Sequence, residues 1–83
     1  MDIKETLNER QGTHGDFTDN ARVSQELKQL LHSNLSDRNN VQQEAIDMIC
    51  HKLSRIVCGN AYEPDHWRDI AGYATLVVER LEK

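Results

Sequence analysis

Apolar residues recur three and four positions apart along most of the 83-residue chain, the period of a helix that buries one face. Ile3 and Leu7 mark a short first helix over about residues 2–10, which the turn Gly12-Thr13-His14-Gly15 should end, glycine permitting positive φ. Asp16 or Thr18 can cap a second helix over about 17–33, with Phe17 at its entrance and Val23, Leu27, Leu30 and Leu31 as its apolar face. The polar loop Ser33–Asn39 follows, with Leu35 as its single apolar anchor.

Asn40 with Gln43 reads as a capping box opening a third helix over about 40–58. Its apolar arc (Val41, Ala45, Ile46, Met48, Ile49, Leu53, Ile56 and Val57) is wide, so this helix should be the centre of the core. Gly59-Asn60 stops it. Pro64, beside Asp65, suits the first turn of a fourth helix over about 64–82. Trp67, Ile70, Ala71, Ala74, Val77, Val78 and Leu81 should be the stripe that this helix buries. No segment alternates with the period of a strand. The expected fold is all-α: one domain, an antiparallel bundle of three main helices with a short N-terminal helix laid across it.

Composition makes that core modest. Hydrophobic residues are 37% of the chain, below the roughly 45–50% of an ordinary globular domain. A chain this small also buries a smaller share of its surface than a large one. Pairing with another copy would bury more, so a homodimer or higher homo-oligomer is expected. The net charge of −4 lacks the concentrated basic field that nucleic acid requires. Met1–Glu9 has no apolar stretch of a secretory leader, and no apolar run is long enough to span a bilayer, which points to the cytoplasm. Cys50 and Cys58 would lie about 12 Å apart along one helix, too far for a bridge.

Several polar residues fall where helical geometry expects apolar ones. Lys52 lies inside the arc of the third helix, and Asn20 and Ser24 lie within or beside that of the second. A lysine so placed must either reach water or meet a negative partner, and Asp69, on the rim of the fourth helix beside Tyr73, is the partner expected. The pair would dock the two helices; alternatively, Lys52 would hold an anion such as phosphate. Gly15-Asp16-Phe17 opens a helix whose free N–H groups suit an anion, although an Asp there also serves as a cap. Glu44 and Asp47 on one helix, with Asp65 and Asp69 on another, are a carboxylate set that could hold Mg²⁺ if the helices brought them together. Asp47 nevertheless points away from the core. His14, His32, His51 and His66 are scattered over separate segments, with Asp47 and His51 spaced for a surface hydrogen bond. No residues have the spacing of a nucleophilic triad.

Four runs carry a resemblance: Thr13-His14-Gly15-Asp16-Phe17, Ala45-Ile46-Asp47-Met48-Ile49 with Lys52-Leu53-Ser54-Arg55-Ile56, and Asp65-His66-Trp67-Arg68-Asp69-Ile70-Ala71-Gly72-Tyr73-Ala74. Together they resemble a family of small phage and prophage proteins of uncharacterised function, with the pattern YGDF…KLARI…DxWxDIAGYA. This chain departs from it at His14, where the family carries tyrosine. The resemblance implies a phage or prophage origin and places Asp16, Lys52, Arg55, Asp65, Asp69 and Tyr73 in recurring motifs, which makes them the candidate ligand-binding residues. A weaker likeness, to the all-α nucleotide pyrophosphohydrolases of the MazG and dimeric dUTPase type, implies a Mg²⁺ site at EExxE and ExxD motifs. Glu44-Ala45-Ile46-Asp47 is one ExxD, but no EExxE is present.

Two functions are therefore expected in competition. One is a non-enzymatic accessory protein, without a cofactor, that works through helix contacts with itself or a host protein and leaves an apolar patch exposed. The other is a Mg²⁺-dependent nucleotide-binding or nucleotide-hydrolysing domain.

Overall fold

A computed structural model of the chain describes residues 2–33 and 36–83; Leu35, the expected loop anchor, lies outside them. Four helices form in order: α1 (Ile3–His14), α2 (Phe17–His32), α3 (Asn40–Cys58) and α4 (Pro64–Leu81). Every element among the described residues is helical, as the periodicity requires.

Local chemistry sets the boundaries. Asp2 caps α1 by accepting from the Lys4 N–H, and Asp16 caps α2 by accepting from Thr18 and Asp19. Helix α1 runs through Gly12 to His14, beyond its expected end, because Gly12 sits in open space while Gly15 alone takes positive φ (88°). The capping box of α3 is Asn39 with Gln42, one residue before the expected pair. Both registers match the pattern, and Gln43 is engaged instead with Arg38, His32 and Asp47. Glu63 caps α4 ahead of Pro64.

Helix α3 is the hub. It lies between α2 and α4, which do not come within 8 Å of each other between Cα atoms, and α1 crosses the ends of α2 and α3. Gly15 and Gly59 lie backbone to backbone where the α1–α2 and α3–α4 turns meet. A Cβ on Gly15 would strike the Cys58 carbonyl, and one on Gly59 the Thr13 carbonyl. Such contact leaves room for glycine only. The Thr13 carbonyl accepts from the Asn60 N–H at 2.9 Å and from His66 Nε2 at 3.0 Å.

The interior is small and partly polar. Among the described residues, the buried apolar ones are Ala45, Cys50 and Ile56, alongside buried Asn20, Ser24, Lys52, Ser54 and His66. Asn20 donates to the His14 carbonyl at 2.6 Å and accepts from Ser54 Oγ at 3.1 Å, tying α2 to the turn below it and to α3. That bond accounts for one of the polar residues that the helical pattern marked as misplaced.

The expected core was too generous. Ile3 and Leu7 stay exposed and α1 buries nothing; Leu30, Leu31, Val41 and Val57 are exposed as well. The largest difference is on α4, where Ile70 and Val77 are half-buried while Trp67, Ala71, Ala74, Val78 and Leu81 face outward. The α3-facing row on α4 is His66, Ile70, Tyr73 and Val77, and the expected stripe mixed this row with a second one beside it.

Candidate functional site

The Lys52–Asp69 pair expected from the sequence is present: Nζ lies 3.1 Å from Asp69 Oδ2, with Lys52 nearly enclosed and Asp69 about half exposed. It joins the middle of α3 to the first half of α4. The amine is the expensive member, since its carboxylate partner retains water. Asp69→Leu alone should therefore cost about 1–3 kcal/mol by stranding the ammonium, whereas Lys52→Met alone should cost little. The double variant should recover most of the loss in urea unfolding. A double variant no more stable than Asp69→Leu would show that the two charges are not coupled.

Of the other expected ligand residues, Arg55 lies near this seam, where the charges of Asp69 and Tyr73 act on it, although desolvation dominates and lowers its pKa. Asp65 lies apart, on the surface, paired with Arg68 at 2.8 Å. Asp16 lines a cleft on the other side of α3.

That cleft, about 600 Å³, opens between α1, α2 and α3. Arg10 and His14 line it from α1, Ser24 and Lys28 from α2, and His51 and Arg55 from α3, with Leu7 and Phe17 also in its walls. Asp16 is its single carboxylate and is already used to cap α2. Among the described residues, none of Arg10, Lys28 and Arg55 has a carboxylate within 4.0 Å. Burial, reinforced by the nearby Arg55, His66, Lys52 and Arg10, lowers the pKa of His14. Burial, with Arg55, Lys52 and Lys28, lowers that of His51. Ser24 is 3% exposed, and its Oγ has no hydrogen-bond partner. The sequence marked Ser24 as out of place but not the cleft, because its basic groups come from three helices and share no motif.

The carboxylate set proposed for Mg²⁺ does not assemble. Asp47 is bound to His32 at 2.8 Å and Gln43 at 3.0 Å rather than to His51, Asp69 to Lys52, and Asp65 to Arg68, while Glu44 is exposed. Among the described residues no three His, Cys, Asp or Glu side chains are grouped so as to hold a metal ion. Both cysteines are free, and burial raises the Cys50 thiol pKa.

The His32 hydrogen bond has a consequence in acid. It is the main reason that Asp47 titrates below an ordinary carboxyl group. A lowered carboxyl pKa adds stability that is complete above the unfolded value, near 4, and is lost as pH falls through the folded one. Wild type should therefore lose more of its urea midpoint between neutral and acid pH than Asp47→Asn. Equal losses would refute the linkage.

The helices also leave a second candidate surface. Trp67, Ala71, Ala74, Val78 and Leu81, spaced 4-3-4-3, form one continuous exposed row along α4. Beside it, an apolar groove of about 420 Å³ between α3 and α4 is lined by Ile46, Ile49, Ala74 and Val77. The molecule measures 43 × 26 × 22 Å, and its radius of gyration is 14.4 Å, against about 12 Å for a compact chain of this length.

Residues 2–81 match a family described as Domain of unknown function (DUF6378). No curated protein and no solved structure matches the chain. Among the described residues no helix is long and apolar enough to cross a membrane.

Proposed function

We propose that this chain, which belongs to the DUF6378 family, is a small helical accessory protein that works by self-association, two copies pairing along α4. The exposed 4-3-4-3 row carries this reading. That spacing is the seam of a helix pair, and among the described residues all five of its members are exposed.

Area supports the same partner. The chain exposes 6220 Å², against about 5100 Å² for a compact monomer of 9.6 kDa. The surplus of about 1100 Å² exceeds the roughly 800 Å² that each partner contributes to a standard interface. The row is also self-complementary. About a two-fold axis between Ala71 and Ala74, an antiparallel copy sets Ala71 opposite Ala74 and Trp67 opposite Val78. The two alanines let the backbones approach, and the larger residues close over each end.

The likeness of the motifs to small phage and prophage proteins supports an accessory role of this kind, carried out in a host cytoplasm. The test is the mass in solution by sedimentation equilibrium. Twice 9.6 kDa is expected at micromolar concentration, and 9.6 kDa at every concentration would end the proposal.

A further inference from the structure

We propose that the cleft between α1, α2 and α3 binds a small phosphorylated molecule, with Arg10, Lys28 and Arg55 holding the phosphate and Ser24 at its floor. The site lies away from the α4 row, so it stands or falls independently of pairing.

Three observations lead to it. First, the charge is concentrated: in a chain of net charge −4, this cleft gathers three cations and two histidines, with one carboxylate that is occupied as a helix cap. Side chains of like charge around a shared cleft repel one another. A dianion relieves the repulsion, and guanidinium groups match the oxygens of a phosphate.

Second, Ser24 is a buried hydroxyl without a partner in a cleft wall. An unsatisfied buried hydroxyl is a cost that native folds seldom keep without a use. Here it is a rotatable donor beside the cations. Third, the volume of about 600 Å³ is that of a small-molecule pocket, and Leu7 and Phe17 offer apolar surface to the rest of a ligand. The shared chemistry is therefore a phosphate on an apolar or aromatic body; an inorganic ion and a nucleotide would both satisfy it in part.

Protons should follow the anion. His14 faces Arg10 on its own helix, Lys52 and Arg55 on α3 and His66 on α4; His51 faces Lys52 and Arg55 on its own helix and Lys28 on α2. Burial and these cations disfavour the charged form of both rings. A bound anion offsets the cations and lets the rings protonate, so affinity rises as pH falls. Sulfate is the clean probe for this, because a phosphate monoester itself gains a proton near pH 6.

The experiment is a titration of the full-length chain, followed by calorimetry and by the ring resonances of His14 and His51. The probes are inorganic phosphate, sulfate, a nucleoside monophosphate and the same nucleoside without phosphate. The monophosphate should bind at least about tenfold more tightly than the nucleoside, and phosphate should compete with it. Sulfate affinity should rise about three- to tenfold from pH 8 to pH 6. Arg55→Gln and Lys28→Gln should each weaken the monophosphate about tenfold, and the exposed part of Lys28 makes its variant the safer one should Arg55→Gln unfold. Ser24→Ala should weaken binding while raising the unfolding midpoint, a combination that a purely structural serine would not give. No response to any anion at millimolar concentration, or monophosphate binding unchanged in Lys28→Gln, would overturn the proposal. Nucleoside binding equal to that of the monophosphate would overturn it too.

Discussion

Replacing Val78 with glutamate is expected to convert a dimer into a monomer without disturbing the helices. Val78 is 46% exposed in the single copy, and glutamate is at least as good a helix former as valine, so the fold should lose nothing. In the pair, the two-fold axis places each new carboxylate against Trp67 of the other copy, where it loses water. The dimer dissociation constant should rise about a hundredfold, equivalent to about 3 kcal/mol. Sedimentation equilibrium would read the change as a fall from twice 9.6 kDa to 9.6 kDa, with unchanged helical circular dichroism. Val57→Glu is the matched control: Val57 is 70% exposed on α3, outside the row, and its variant should dimerise like wild type. Equal loss in both would mean that general solubility, not the α4 seam, governs association.

The same row shows what the sequence could and could not disclose. Helical spacing identifies apolar positions on α4 correctly, but periodicity is blind to whose surface covers them. His66, Ile70, Tyr73 and Val77 turn toward α3, and Trp67, Ala71, Ala74, Val78 and Leu81 stay exposed, yet both rows have the same period. Misplaced polar residues were more informative. Lys52 inside an apolar arc required a negative partner, and Asp69 is there at 3.1 Å. Asn20 and Ser24 were visible for the same reason. What was hidden is convergence. Arg10, Lys28 and Arg55 look like ordinary solvated charges in their own helices, and only the crossing of α1 over α2 and α3 gathers them around one cleft. The carboxylate set erred in the opposite direction, because residues with suitable spacing were engaged by partners that spacing does not reveal. Cap registers were ambiguous for a simpler reason: Asn39-Gln42 and Asn40-Gln43 carry identical chemistry one residue apart.

The largest loss of stability should come from Gly15→Ala. Gly15 is the only described residue with positive φ, at 88°, and its ψ of 179° lies where side-chain-bearing residues are rarely found. The strain alone is worth about 1–3 kcal/mol. A methyl group there would also strike the Cys58 carbonyl, which belongs to backbone and cannot swing aside. Relieving that contact means parting the α1–α2 turn from the α3–α4 turn, which weakens the two hydrogen bonds held by the Thr13 carbonyl. The total should reach about 3–5 kcal/mol, a large share of the stability of so small a domain. Gly12→Ala is the contrast. Gly12 lies in the interior of α1 with nothing within 4 Å of a Cβ, so alanine there should stabilise by about 0.5–1 kcal/mol. Urea unfolding of the two variants should move the midpoint in opposite directions. If Gly15→Ala unfolds at the wild-type midpoint, the backbone contact between the two turns does not hold the helices together.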